Sequence, residues 1–170
     1  MSNPVLIRER APSFAATRTA TLAVTELPAW LGVTYGRIAQ CLSAAGRRPA
    51  GPPFARYHRH DNGRFDVTAG FPVDEKFTGD GDVVSEWMPG GRVAVVQHHG
   101  SYEAMVPAYR TLAQWLIDHH AVALSDPYEV YRSGPGDSPD PAAQLTDIVQ
   151  PFRLDPRSGT QAPPVRSAER

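Results

Sequence analysis

Shifted along itself by 74 residues, the chain repeats. Arg18 and Ala20 fall on Arg92 and Ala94, Tyr35, Ala39, Gln40 and Leu42 fall on Tyr109, Ala113, Gln114 and Leu116, and Pro53 and Tyr57 fall on Pro127 and Tyr131. Phe54 meets Tyr128. A longer hairpin loop in the second half moves the offset to 81, where Asp66, Val67 and Phe71 meet Asp147, Ile148 and Phe152. A repeat of this kind narrows the choice of folds, because whatever packs one half has to pack the other. A long period seen twice is not a solenoid, which needs at least three stacked units. The repeated unit reads strand, helix, strand, strand. The expected fold is α+β: duplicated strand-helix-strand-strand modules related by a pseudo-twofold axis, with an antiparallel sheet, two helices packed on it and a cleft between the halves.

The local pattern supports that unit. Residues 4–9, 13–24, 54–60, 64–73, 83–87, 92–99, 127–132 and 144–154 are short runs rich in β-branched or aromatic side chains and read as strands. Residues 27–45 place Leu27, Trp30, Leu31, Ile38, Cys41 and Leu42 at helical spacing, with Glu26 near the start and Gly46 as the stop. Residues 101–120 repeat the pattern, with Ser101 as N-cap and Met105, Tyr109, Leu112 and Leu116 on one face. Proline- and glycine-rich stretches at 46–53, 79–81 with 89–91, and 133–141 read as loops. The expected layout is one domain over 1–155, with module one at about 4–80 and module two at about 82–155. The tail 156–170 carries almost no large apolar residue and is expected to be disordered.

Composition excludes several functions. A chain of 170 residues with 41% hydrophobic positions can bury a core without metal or disulfide. Cys41 is the only cysteine, so no internal disulfide forms. Seventeen basic against 18 acidic side chains leave a net charge of −1, which does not suit a general nucleic-acid or anionic-membrane surface. No segment approaches the length of a membrane span, and a cytoplasmic location is expected.

The segment PYEVYR, residues 127–132, carries the most chemical information. Alternation along a strand puts Glu129 and Tyr131 on one face and Tyr128 and Val130 on the other. A carboxylate on an inner face needs a cationic partner, a retained proton or a cationic ligand. Exposure to solvent, or pairing with an arginine such as Arg56, is the plain alternative. The repeat isolates the acid, since Tyr131 matches Tyr57 whereas Glu129 matches Ala55.

Read in order, RVAVVQHHGSYEAM, AYRTLAQWL, DPYEVYRSGP and TDIVQPF, with PPFARYH and FDVTAGFPV in the first half, resemble the GyrI-like small-molecule-binding family from about Val5 to Leu154. That family shares its fold with the effector-binding domains of MerR-type and AraC-type multidrug regulators. The resemblance implies a pair of strand-helix-strand-strand modules, with the acid of the Tyr-Glu strand facing bound, often cationic and aromatic, compounds in the cleft. Glu129 matches that acid. Around it Tyr57, Phe65, Phe71, Tyr102, Trp115 and Tyr131 are candidate pocket aromatics, because a cation over aromatic faces gains about 0.5 to 2 kcal/mol per good contact. Trp115, at core spacing on the second helix, also reads as packing, and Tyr57 and Tyr131 are the repeat-related pair on strands.

Other motifs point nowhere specific. His58 and His60, His98 and His99, and His119 and His120 lack a completing set of zinc ligands, so no metal or cofactor is expected. Gly90, Gly91, Gly134 and Gly136 are turn glycines outside any phosphate-loop pattern, and no GxSxG elbow occurs. Asp66 and Asp147 read as repeat-related residues at turns or strand ends, and Glu103 as complementing a helix dipole. The leading expectation is a stand-alone protein that binds small amphipathic aromatic or cationic molecules, with Glu129 as the acidic determinant, as a sensor or by sequestration. The alternative is a hydrolase that opens strained cyclopropane-containing electrophiles with Glu129 as general acid or base. A gyrase-inhibitor-like role is a third, less favoured reading, because the chain shows no acidic, DNA-mimicking bias. With the module starting near Val5, no DNA-binding head fits and direct DNA contact is not expected. No protein partner is indicated.

Overall fold

A computed structural model describes residues 3–133 and 140–156. Most of the loop at 133–141, with Gly134 and Gly136, and the tail beyond Pro156 lie outside the described residues. The chain forms two compact units: one runs from Pro12 to Pro89, and the other joins the residues before Pro12 to those after Pro89.

The Pro12–Pro89 unit holds strands β2 (Ser13–Ala23), β3 (Phe54–Arg59), β4 (Arg64–Val73) and β5 (Val84–Met88), with helix α1 (Leu27–Ala44). Its antiparallel order is β3, β4, β2, β5. The apolar stripe of α1 buries Ile38, Cys41 and Leu42 against Ala16, Val73, Phe77 and Val83. Each of the larger side chains, Ile38, Leu42, Val73, Phe77 and Val83, contributes roughly 1.5 to 3 kcal/mol when removed from water. Pro28 sits in the first turn of α1, where a missing N–H costs nothing. Gly46 ends the helix at φ +67, a left-handed conformation suited to glycine. Gly70 serves a different need, since a Cβ there would lie 2.4 Å from the Ala16 carbonyl oxygen.

The other unit contains β1 (Val5–Arg10), β6 (Gly91–His99), β7 (Ala121–Ala123), β8 (Tyr128–Ser133) and β9 (Leu145–Leu154), with α2 (Val106–Asp118). The antiparallel order is β1, β6, β9, β8, and β7 adds a short pairing to β9. Its core gathers Ile7, Ala94, Val96, Ile148 and Phe152 beneath Met105, Ala108 and Leu112. Ile38 and Leu112, 74 residues apart, fill the same place under their helices.

Two details differ from the simple repeat. The leading strand of each module pairs with a strand of the other module: β1 precedes β2 but pairs with β6, and β5 precedes β6 but pairs with β2. The register of the last strand also departs from the 81-residue match. Tyr57 faces Val67 across β3 and β4, whereas its mate Tyr131 faces Thr146, not Ile148. Ala50 N–H bonds the Pro72 carbonyl at 2.8 Å, and Leu124 N–H bonds the Pro151 carbonyl at 3.0 Å. Ala50 and Leu124 keep the 74-residue offset while Pro72 and Pro151 are 79 apart. A slip of two leaves every side chain on its original face, so the apolar pattern does not oppose it.

Helix α2 starts later than the sequence predicts. Tyr102–Ala104 form a 3-10 turn and Ser101 makes no side-chain cap, so the N-cap role expected for Ser101 is not realised. Pro107, in the first turn of α2, places the helix start beyond that turn. The expectation for Asp147 is corrected as well. It lies within β9 at 1% exposure, paired to Arg132 at 2.8 Å and bonded by Gln97 Nε2 at 3.0 Å. Asp66, by contrast, is half-exposed and meets His60 and Thr21.

Candidate functional site

Strand alternation in β8 aims Glu129 and Tyr131 to the same side of the sheet. Their cross-strand partners are Ile148 and Thr146, and Ile148 belongs to the core beneath α2, so that side is the helix-covered one. Glu129 is only 7% exposed. Tyr131 donates its hydroxyl to Oε2 at 2.7 Å, and Tyr109, reaching down from α2, donates to Oε1 at 2.5 Å. Burial pushes the Glu129 carboxyl above its ordinary range; the two phenol donors and the charge of nearby His98 pull the other way without cancelling it. The result is a buried carboxyl whose partners are both neutral.

The polar layer extends sideways. His98 in β6 stands opposite Thr146, which stands opposite Tyr131. His98 is buried and its Nε2 lies 2.8 Å from the Ser101 carbonyl oxygen. Thr146 is fully buried and its hydroxyl finds no partner among the described residues. The ring of Tyr102 meets Tyr131 edge to face at 5.6 Å. On the opposite face of the same strands, Arg132 and Asp147 form their own ion pair.

Of the predicted residues, Glu129, Tyr131 and Tyr102 therefore come together in one cluster. Trp115 does not join them: it stacks on His119 at 4.3 Å and packs edge-on to Phe152 at 5.0 Å, beside the core. Tyr57, Phe65 and Phe71 belong to the Pro12–Pro89 unit. There Phe71 packs edge to face on Tyr35 at 5.5 Å and joins the core, while Tyr57 and Phe65 are part-buried on β3 and β4. Arg56, the alternative partner for Glu129, pairs with Glu86 at 2.8 Å. In place of the acid that unit has the fully buried Ala55, and the Tyr35 hydroxyl donates to the backbone oxygen of Phe54 at 2.9 Å.

Sequence reasoning missed Tyr109 as a polar partner and His98 as a neighbour of the acid. For Tyr109 a signal existed, since the repeat keeps a tyrosine at a helix position where the core asks only for an apolar side chain. Beside α2 an open-sided cavity of about 490 Å³ is lined by Val106, Tyr109, Arg110, Leu112, Ala113, Leu116, Pro127 and Gln150. Tyr109 thus forms part of the cavity wall while its hydroxyl holds Glu129. Among the described residues no cluster of three metal-ligating side chains occurs, and no helix is long and apolar enough to cross a membrane.

Comparison with known proteins gives the following. A family model described as a GyrI-like small molecule binding domain matches residues 15–153. The crystal structure of the EcmrR C-terminal domain is 20% identical with a TM-score of 0.78, over 91% of this chain and 100% of that one. In a cryo-EM structure of an EcmrR–DNA complex the match covers 59% of the EcmrR chain, at 21% identity and TM-score 0.80. A hydrolase from Listeria innocua matches at 12% identity and TM-score 0.62, over 89% of this chain and 93% of its own. SAV2435 bound to tetraphenylphosphonium matches at 10% identity and TM-score 0.62, over 88% and 94%. At these identities the structural likeness establishes the fold. No curated protein sequence matches the chain.

Proposed function

Because the chain belongs to the GyrI-like small molecule binding domain family, we propose that it binds amphipathic aromatic or cationic molecules, with Glu129 as the acidic determinant, and serves as a sensor or sequestering protein. One observation carries this reading: Glu129 is buried and held by two neutral phenols rather than by a cation. Its charge is costly to bury, and a ligand cation offsets that cost. A unit charge about 4 Å away interacts by about 4 kcal/mol at the effective dielectric of a partly wet site. Tyr102 and Tyr131, packed edge to face, add aromatic surface that favours a delocalised cation. The tetraphenylphosphonium bound by SAV2435 is a cation of this class.

Calorimetric titration with tetraphenylphosphonium tests the reading. Glu129→Gln is expected to weaken the cation at least tenfold and to leave neutral triphenylphosphine oxide unchanged. Equal affinity of the cation for both proteins would remove the electrostatic part.

A second reading is hydrolysis of strained electrophiles. It is favoured by the raised proton affinity of Glu129, which suits a general acid. Enzyme-dependent opening of a cyclopropane-containing electrophile that disappears in Glu129→Ala would support it, and no turnover across a panel would dismiss it.

A further inference from the structure

We propose that Gln150 is a specificity-determining acceptor, selecting ligands that carry an N–H or O–H donor into the cavity beside α2; this rests on the small-molecule-binding reading above. Gln150 is 5% exposed and lines the cavity with Tyr109, Leu112, Leu116 and Pro127. Its Nε2 is fully committed, donating to the Ser125 carbonyl at 2.8 Å and to the Pro151 carbonyl at 2.9 Å. Carbonyl oxygens only accept, so the amide cannot be turned over without losing both bonds. Oε1 is thereby the atom the side chain offers to the cavity, and no described residue donates to it. An acceptor at an open-sided cavity is otherwise met by water, and a ligand N–H placed there takes the place of that bond.

The internal repeat shows what Gln150 replaces. With Pro72 and Pro151 in register, Gln150 occupies the place of Phe71. In that unit the Phe71 ring lies edge-on against Tyr35, the mate of Tyr109. A glutamine drawn toward Ser125 leaves the corresponding space beside Tyr109 open and adds an oriented acceptor to it. About 490 Å³ lies within the range of small-ligand sites, roughly 300 to 1,000 Å³. Tyr109 lines this cavity and bonds Glu129, which lies behind it, so a cationic ligand held at the acceptor would interact with the acid across the Tyr109 side chain.

Proflavine and acridine orange test the assignment. Both are flat tricyclic cations, but proflavine carries exocyclic N–H₂ groups where acridine orange carries dimethylamino groups. Dissociation constants are read by fluorescence for wild type, Gln150→Leu, Ala113→Phe and Glu129→Gln, each checked for a cooperative thermal transition. The expected result is that Gln150→Leu lowers the proflavine-to-acridine-orange preference about tenfold, while Glu129→Gln weakens both dyes and preserves the preference. Ala113 lies on the exposed flank of α2 and lines the cavity, so Ala113→Phe places a ring in it and should weaken both dyes. An unchanged preference in Gln150→Leu, with both dyes still weakened by Glu129→Gln, overturns the role of Gln150 alone. A lost preference in Gln150→Leu with no effect of Glu129→Gln overturns the role of the acid alone. Failure of both dyes to bind wild type, or indifference of both to Ala113→Phe, overturns the cavity as their site. Should Gln150→Leu fail to fold, Gln150→Met gives the same readout.

Discussion

Tyr109 donates its hydroxyl to Oε1 of Glu129 over 2.5 Å, tying the helix of one unit to the acid on a strand of the same unit. Its repeat mate Tyr35 finds no acid at the corresponding place and bonds a backbone oxygen instead. The tyrosine is thus common to both helices, and the carboxyl is the variable that gives one unit a charged site.

Replacing the acid should stabilise the protein. The folded carboxyl binds its proton more tightly than the unfolded one, so its contribution to stability is full below the unfolded pKa and is lost as pH rises through the raised folded pKa. Glu129→Gln mimics the protonated form at every pH. Thermal melts are expected to show a higher midpoint than wild type at pH 8, with the gap closing below pH 4.

Cation binding should carry the opposite pH dependence. A ligand cation favours the ionised carboxylate, so wild-type affinity for tetraphenylphosphonium should rise with pH through the raised pKa of Glu129 and then level off. Proton release on binding, read by calorimetry in buffers of different ionisation enthalpy, should be largest at the acidic end. In Glu129→Gln the affinity should be flat across the same range.

Removing one phenol separates the two roles of Tyr109. Tyr109→Phe keeps the ring in the cavity wall but deletes a donor to the charged form, so the Glu129 pKa should climb further. Carboxyl-carbon NMR titration reads this directly. A pKa unchanged from wild type would show that the hydroxyl does not bond the acid in solution.

The two repeat-related aspartates should differ in their importance to stability. Asp147→Ala leaves the guanidinium of Arg132 and the amide of Gln97 without their buried acceptor, at a cost of about 2 to 3 kcal/mol in urea unfolding. Asp66→Ala, at a half-exposed position, should be clearly the milder substitution.

Much of this was legible in sequence because it depends on local periodicity. The 74-residue offset aligns Phe54–Arg59 with Tyr128–Ser133, and apolar spacing marks Ile38 and Leu112 as helix residues that face a sheet. Alternation alone placed Glu129 and Tyr131 on a shared face, and the repeat singled out the acid that Ala55 does not match. The helix start at Val106 was less legible, because Ser101 looks like a cap and only the 3-10 turn before Pro107 displaces it.

What remained hidden required distant parts of the chain to meet. Nothing local tells β1 to pair with β6 rather than with a strand of its own module, and nothing in the alternation of β9 distinguishes a register from one slipped by two. A two-residue slip preserves every face, so the hydrophobic pattern permits both, and loop length with the Leu124 to Pro151 bond selects one. The sequence by itself determined the repeated elements, their buried faces and the lone acid, since these follow from spacing along a strand or helix. Only the tertiary structure decided that Tyr109 holds that acid, that Trp115 packs away from it, and that Gln150 stands where the other unit has a phenylalanine. Those contacts depend on packing between residues remote in sequence, which no local period encodes.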